Sequence, residues 1–332
     1  MRRSKYFIFI LSGLLYFSEL LAQSPQVDSS YIQSFSKKND IEVYSGFTNT
    51  VFHFRRLSND NSFSHHKLIA NTRASIGFTF DYKWLSIDYS KSLPGTAIDN
   101  RATSIKALGL HFRTRKNNYL IEAGTQKFKG LVLPLKLRQR EFENYNNINY
   151  RSYSARVIYI FNANKFSLKA AESYSALQLK SAGSFMFGAS SLYQRFKLKS
   201  DLIGSYEQSD SLFLNAVRKN PKTFNILYNA GYTYNFVLDR GKWSINPGFF
   251  AGAGWQKSIS GEEQKHFKGI SDFQIYLNAG HNGNLFYYYL RAKYNRLFNH
   301  LVSSDMSTRN DALSLTLGYR IGTLKYKIFG LL

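Results

Sequence analysis

The chain has 332 residues and no cysteine. That absence excludes disulfides, thiolate metal sites, a thiol nucleophile and a lipidated N-terminal cysteine. A chain of this length can build a core without such staples. Carboxylates are also scarce, with 21 Asp and Glu against 44 Lys and Arg, and the formal net charge is +23. Acid-pair chemistry therefore has few candidates. No run of 18 apolar residues follows the N-terminal region, which excludes a transmembrane helix there. The mean hydropathy of −0.33 excludes a bundle of apolar helices.

At the N-terminus Arg2, Arg3 and Lys5 precede an apolar stretch from Tyr6 to Tyr16. Glu19 ends it, and Leu20-Leu21-Ala22-Gln23 follows. This pattern predicts a secretory signal cleaved after Ala22. The stretch is too short for the roughly 20 residues of a membrane-spanning helix. Removing Arg2, Arg3, Lys5 and Glu19 lowers the net charge to +21. The expected organisation is a signal over 1–22, a short periplasmic segment over 23–40 and a barrel over 41–332.

Aromatic residues are abundant, with 24 Tyr and 28 Phe, as expected of girdles at two membrane interfaces. From Ile41 onward apolar residues alternate with period two. Leu68, Ala70, Thr72, Ala74, Ile76, Phe78 and Phe80 mark one face of a predicted strand. The pattern returns from Tyr153 to Phe161, Phe224 to Phe236, Trp243 to Trp255, Phe273 to Ala279 and Leu313 to Ile321. Such runs exceed the roughly five or six residues of soluble strands and match the roughly 9–11 of tilted membrane strands. The fold class predicted is all-β, a single antiparallel transmembrane β-barrel.

Short joints carry turn residues: 81–83, 116–118, 162–164, 239–241 and 282–284. Longer polar joints are expected over 57–64, 91–102, 130–149, 200–222, 258–269 and 297–310. Parity of short and long joints requires an odd number of strands between Lys165 and Lys199. One strand there gives twelve in all and three give fourteen, both even as single-chain bacterial barrels require. Pro247 predicts a bulge or a strand end.

Several segments in this order carry a resemblance. They are Asp28-Ser29-Ser30-Tyr31-Ile32, Phe80 to Ile87, Lys180 to Phe185, Gly231 to Val237 and Leu317-Gly318-Tyr319-Arg320-Ile321. Together they resemble an uncharacterised family of bacterial outer-membrane β-barrels, a domain of unknown function of about this length. The resemblance implies a barrel in the outer membrane and supplies no catalytic residues. Residues 322–332 follow the last clear strand as a tail or a later strand.

Catalytic spacing is missing. None of His53, His65, His66, His111, His266, His281 and His300 has a serine two residues later, the spacing of phospholipase-like barrels. His281 precedes the turn Asn282-Gly283-Asn284. His65 and His66 read as a surface loop, and adjacent strand positions could not chelate one ion together. Glu141 and Glu143 read as a charged loop. Gly252 and Gly254 are followed by no helix, so they are no dinucleotide fingerprint. No cofactor or metal site is expected. The candidate lumen-facing basic residues are Lys67, Arg73, Arg156, Arg195, Lys197 and Arg291, a set that would favour anions.

The functional expectation is an outer-membrane barrel with a structural, adhesive or narrow, anion-preferring channel role and no catalysis. The alternative is a hydrolase modifying phospholipid or lipopolysaccharide; a soluble ligand-binding β-protein is the third reading. Expected partners are outer-membrane lipid, lipopolysaccharide and the barrel-assembly machinery, without nucleic acid, for a monomer. The basic surplus is spread over many segments and forms no nucleic-acid module.

Overall fold

The computed structural model describes residues 27–35, 39–57, 63–82, 85–99, 108–116, 118–136, 141–198, 220–259, 267–301 and 304–322. The expected signal over 1–22 and the tail beyond Gly322 lie outside them. The strands are β1 (Ile32–Gln33), β2 (Asn39–Leu57), β3 (Phe63–Ala70), β4 (Ala74–Tyr82), β5 (Leu85–Ser92) and β6 (Leu108–Lys116). They continue with β7 (Tyr119–Lys136), β8 (Glu141–Ile160), β9 (Leu177–Gln178), β10 (Ala182–Leu198) and β11 (Lys222–Leu238). The last are β12 (Trp243–Ser258), β13 (Phe267–Asn282), β14 (Phe286–Leu301) and β15 (Ser304–Ile321). A helix, α1, spans Leu168–Glu172.

Every wall pairing is antiparallel, and β15 closes on β2 from Ile321 opposite Asn39 to Asp305 opposite Arg55. β3 and β4 both pair with β2, one beyond the other, so they are two pieces of one stave. The wall therefore has twelve staves. β10 is the only stave between Lys165 and Lys199, which decides the count for twelve. The chain on either side of each short joint returns to the same rim, here called periplasmic.

Alternation sorts the side chains. On β13 Gln274, Tyr276 and Asn278 are buried inward, while Phe273, Ile275 and Leu277 are exposed outward. Closure leaves no free sheet edge among the paired staves, so the apolar outer face can meet lipid with its backbone paired.

The twelve staves do not run the full height. β5 and β6 are short and pair with β4 and the first half of β7. Above them β3 pairs directly with β7, Ile69 opposite Val132 and Ala70 opposite Leu131. The extracellular part thus has ten staves. Two irregularities accommodate the change. β7 bulges between Lys129 and Leu131 at Gly130, whose φ of +86° suits glycine. β3 and β4 are separated at Asn71-Thr72-Arg73. The buried Asn71 side chain accepts from the amides of Ile98 and Asp99, at 2.9 and 3.0 Å, and donates to the Asp99 carbonyl at 3.1 Å. It ties the β5–β6 loop over the outer face, where Ile98 packs on Val51, Ile69 and Val132.

This break corrects the expected continuous apolar face. Ile76 and Phe78 point outward from β4, but Leu68 and Ala70 point inward from β3. The expected loops over 130–149 and 297–310 are also corrected. β7 and β8 run through most of the first, and β14 and β15 through most of the second. Glu141, Glu143, His65 and His66 accordingly lie on strands. Pro247 makes neither a bulge nor an end, because β12 keeps one register with β11 on both sides of it. Side chains fill the gap in the ladder: Thr233 donates to the Pro247 carbonyl at 3.1 Å and Asn246 donates to the Tyr234 carbonyl at 2.8 Å.

Candidate functional site

The interior has a mixed-charge chamber between two closures. The periplasmic closure is the segment 161–181, which the joint at 162–164 introduces in place of a tight hairpin. Ser167 caps α1 by accepting from the Ala170 amide at 3.2 Å. Phe166, Leu168 and Ala171 pack on Leu120, Ile158, Met186, Phe250 and Tyr276 of the wall. Side chains of five staves thus share one cluster with this segment, so it sits within the lumen. Asn278 and Asn282 donate to the carbonyls of Ala171 and Ala176 at 3.2 and 2.9 Å.

Arg320 fastens the segment to the last strand. Its side chain is fully buried and donates to the carbonyls of Gly283 and Tyr174 and, at 2.5 Å, to Asn282 Oδ1. Asp40 lies 3.8 Å from its Nε. The Phe35 ring centroid is 3.7 Å from its Cζ. Tyr174 stacks nearly parallel on Tyr287 and Tyr289, with centroids 6.3 and 4.8 Å away. Burial pushes the Tyr174 hydroxyl up to about 12, so the ring remains neutral. Tyr287 and Tyr289 donate to the two oxygens of buried Glu42, at 3.0 and 3.1 Å.

A second layer lies beneath. β1 pairs with β9. Buried Gln178 accepts from the Ser167 amide at 2.9 Å and donates to the carbonyls of Lys165 and Lys180 at 2.7 and 2.9 Å. The chain enters through a turn at Asp28, whose carboxylate accepts from the Ser30 amide at 2.9 Å. Hydrogen bonds from Ser30 hold that carboxyl below its ordinary range.

Above the segment lies the charged layer. Glu122 on β7 takes Arg113 of β6 at 2.6 Å and Arg156 of β8 at 2.8 Å. Arg291 donates to Asn278 Oδ1 at 2.9 Å and to the Glu172 carbonyl. Glu172, at the end of α1, lies within electrostatic reach of Arg113, Arg156, Arg291 and Lys293. The chamber is therefore mixed in charge, and two of its arginines are already held by Glu122.

The extracellular closure is apolar. Phe52, Phe54, Leu68, Phe128, Tyr150 and Phe196 belong to one buried cluster. The Phe52 and Phe196 rings, from β2 and β10, are 5.3 Å apart. Those strands stand nearly opposite in a ten-stave wall, so the rings meet across the lumen. Just below, Asn299 of β14 donates to Gln194 of β10 at 2.9 Å, again across the interior.

Of the predicted basic set, Arg156 and Arg291 stand in the chamber. Four others are corrected. Lys67 faces outward beside inward Leu68, Arg73 is exposed at the β3–β4 break, and Arg195 and Lys197 face outward beside buried Phe196. Around Phe196 and Leu68 the apolar face is the interior, so the charged face there is the exterior. Sequence reasoning missed Arg113, Glu122, Glu42 and Arg320, which carry an inward parity once the strands are registered.

Three described histidines have distinct surroundings. His281 stacks outside on Tyr288 and meets Trp243 edge-on. His300 uses both ring nitrogens, 2.9 Å from Asp305 Oδ1 and 3.1 Å from the Gly269 carbonyl. His111 faces the chamber opposite Asp88. Among the described residues no cluster of His, Asp or Glu could hold a metal ion. Outside, an apolar groove of about 620 Å³ crosses β13, β14, β15 and β2.

The family described as "Domain of unknown function (DUF4421)" matches residues 26–321. A search of curated proteins finds no match. The outer membrane protease OmpT from Escherichia coli is similar in structure at 10% identity and a TM-score of 0.39, over 88% of this chain and 100% of that one. The COG4313 outer membrane channel from Pseudomonas putida F1 gives 11% and 0.39, over 89% and 100%. The translocator domain of the autotransporter NalP from Neisseria meningitidis gives 10% and 0.36, over 96% and 97%.

Proposed function

We propose that this chain, which belongs to the family of domains of unknown function DUF4421, is a closed outer-membrane barrel with a structural or adhesive role and no catalysis. The observation that carries this reading is the double closure. The segment 161–181 fills the periplasmic half, and aromatic side chains meet across the extracellular half. A lumen filled at two levels offers no continuous path for solute. The reading includes export by a signal cleaved after Ala22, insertion by the barrel-assembly machinery and a monomer. The test is recovery in the outer-membrane fraction with heat-modifiable migration, together with silence in planar bilayers. Recovery in the soluble fraction would overturn the location, and steady conductance of the unaltered protein would overturn the closed barrel.

One observation favours a hydrolase as a second reading. His111 faces Asp88 in the chamber, and a side chain at Gly124 would meet both His111 Nδ1 and Ser154 Oγ. A histidine between a carboxylate and a hydroxyl is the elementary arrangement of nucleophilic catalysis. Labelling by a fluorophosphonate that Ser154→Ala and His111→Ala both abolish would support it; absence of labelling dismisses it.

A further inference from the structure

The register places cations in one line on the outer wall. Lys91 of β5 is opposite Leu108 of β6, and Leu108 is opposite Lys127 of β7. Lys127 is opposite Arg151 of β8, Arg151 opposite Arg195 of β10, and Arg195 opposite Lys222 of β11. Five of six adjacent positions are thus Lys or Arg. Four of them are consecutive at the strand spacing of about 4.8 Å. All five point outward by alternation. One step higher, Lys129 and Lys197 flank Asn149. One step lower on the same face the residues are Tyr89, Leu110, Thr125, Tyr153, Tyr193 and Phe224. The line contains no carboxylate.

Like charges directly opposite on neighbouring strands are destabilising. Here three such contacts follow one another, and Lys127, Lys129, Arg195 and Lys197 have no ion pair among the described residues. Among the described residues Arg151 has only the Tyr153 hydroxyl, at 3.3 Å. The aromatic row beneath fixes the depth, since Tyr and Phe belts sit at the membrane boundary. The cations therefore stand where lipid headgroups begin, on the extracellular side of the aromatic belt. Arginine binds phosphate through paired donors, and clustered cations attract anionic lipid.

We propose that this line is a binding site for the phosphate groups of an outer-leaflet glycolipid of the lipid A type, with its acyl chains against the row Tyr153, Tyr193 and Phe224. The proposal rests on the outer-membrane location proposed above. Its chemistry could also be met by free phosphate, which the test separates.

The test uses the full-length exported protein, purified as a folded barrel in a neutral detergent, with bisphosphorylated lipid A as the probe. Binding is read by native mass spectrometry. The triple variant Lys127→Gln, Arg151→Gln and Arg195→Gln is expected to bind at least tenfold more weakly while keeping heat-modifiable migration. The triple variant Lys180→Gln, Arg240→Gln and Lys242→Gln, at the opposite rim, is expected to bind like the unaltered protein. Lipid A stripped of phosphate is expected not to bind, and equimolar inorganic phosphate not to compete. Equal binding by the first triple variant, or by stripped lipid A, overturns the proposal. Full competition by inorganic phosphate overturns the glycolipid as the ligand. Fractionation of the unaltered protein reads the location separately, so the two proposals fail by different measurements.

Discussion

The two halves of the barrel are closed by different means. The periplasmic half has twelve staves and holds a peptide segment, fastened by buried polar groups such as Arg320, Asn278 and Asn282. The extracellular half has ten staves and is filled by its own rings, with Phe52 and Phe196 in contact. Barrel diameter grows with strand number. A ten-stave wall narrowed by crossing side chains can be filled by aromatics alone. Twelve staves leave more space than side chains span, and a helix with its own hydrogen bonds fills it.

The largest test of this contrast treats the closures as two plugs in series. Removal of residues 165–180 alone, or Phe52→Ala with Phe196→Ala alone, is expected to leave bilayers silent. The combined variant is expected to conduct. Conductance from either single alteration would show that only one closure seals the lumen.

Stability separates the halves next. Arg320→Met is expected to cost about 4 kcal/mol, because it leaves Asp40 buried without its counter-charge and the carbonyls of Gly283 and Tyr174 buried without their donor. A urea unfolding series in lipid reads it, and a midpoint unchanged from the unaltered protein would contradict the fastening role. Phe196→Ala should cost about 3 kcal/mol through the cavity left among Phe52, Phe54 and Tyr150. It should leave the periplasmic segment as resistant to protease as before, whereas Arg320→Met should not. Equal protease sensitivity in the two variants would mean that the halves are one cooperative unit.

The smallest effect concerns the junction between the halves. Asn71→Ala removes three hydrogen bonds to the β5–β6 loop and should cost about 1–2 kcal/mol. Hydrogen exchange is expected to rise at Ile98 and Asp99 while staying unchanged in β13. Slow exchange at both amides would mean that the loop holds without Asn71.

Much of the wall was legible before the structure. On β11, β12, β13 and β15 alternation located the strands and their outward faces, because lipid outside and polar groups inside give period two its contrast. The parity of the joints reduced the strand count to two values. The same rule failed near Phe196 and Leu68, where the interior is apolar and the outer face is charged, and so it sent Arg195, Lys197 and Lys67 inward. It also read 130–149 as a loop, since polar strands extending beyond the membrane carry no apolar alternation.

The sequence by itself determined a cysteine-free, aromatic, alternating chain, and hence an all-β membrane barrel, because these properties are local and repeat along the strand. Tertiary structure alone decided that the barrel narrows from twelve staves to ten, that 161–181 turns inward, and which cations share a line. Each of these depends on the register between strands far apart in sequence. A shift of one residue reverses every face, and no local pattern records the bulge at Gly130 or the break at Asn71.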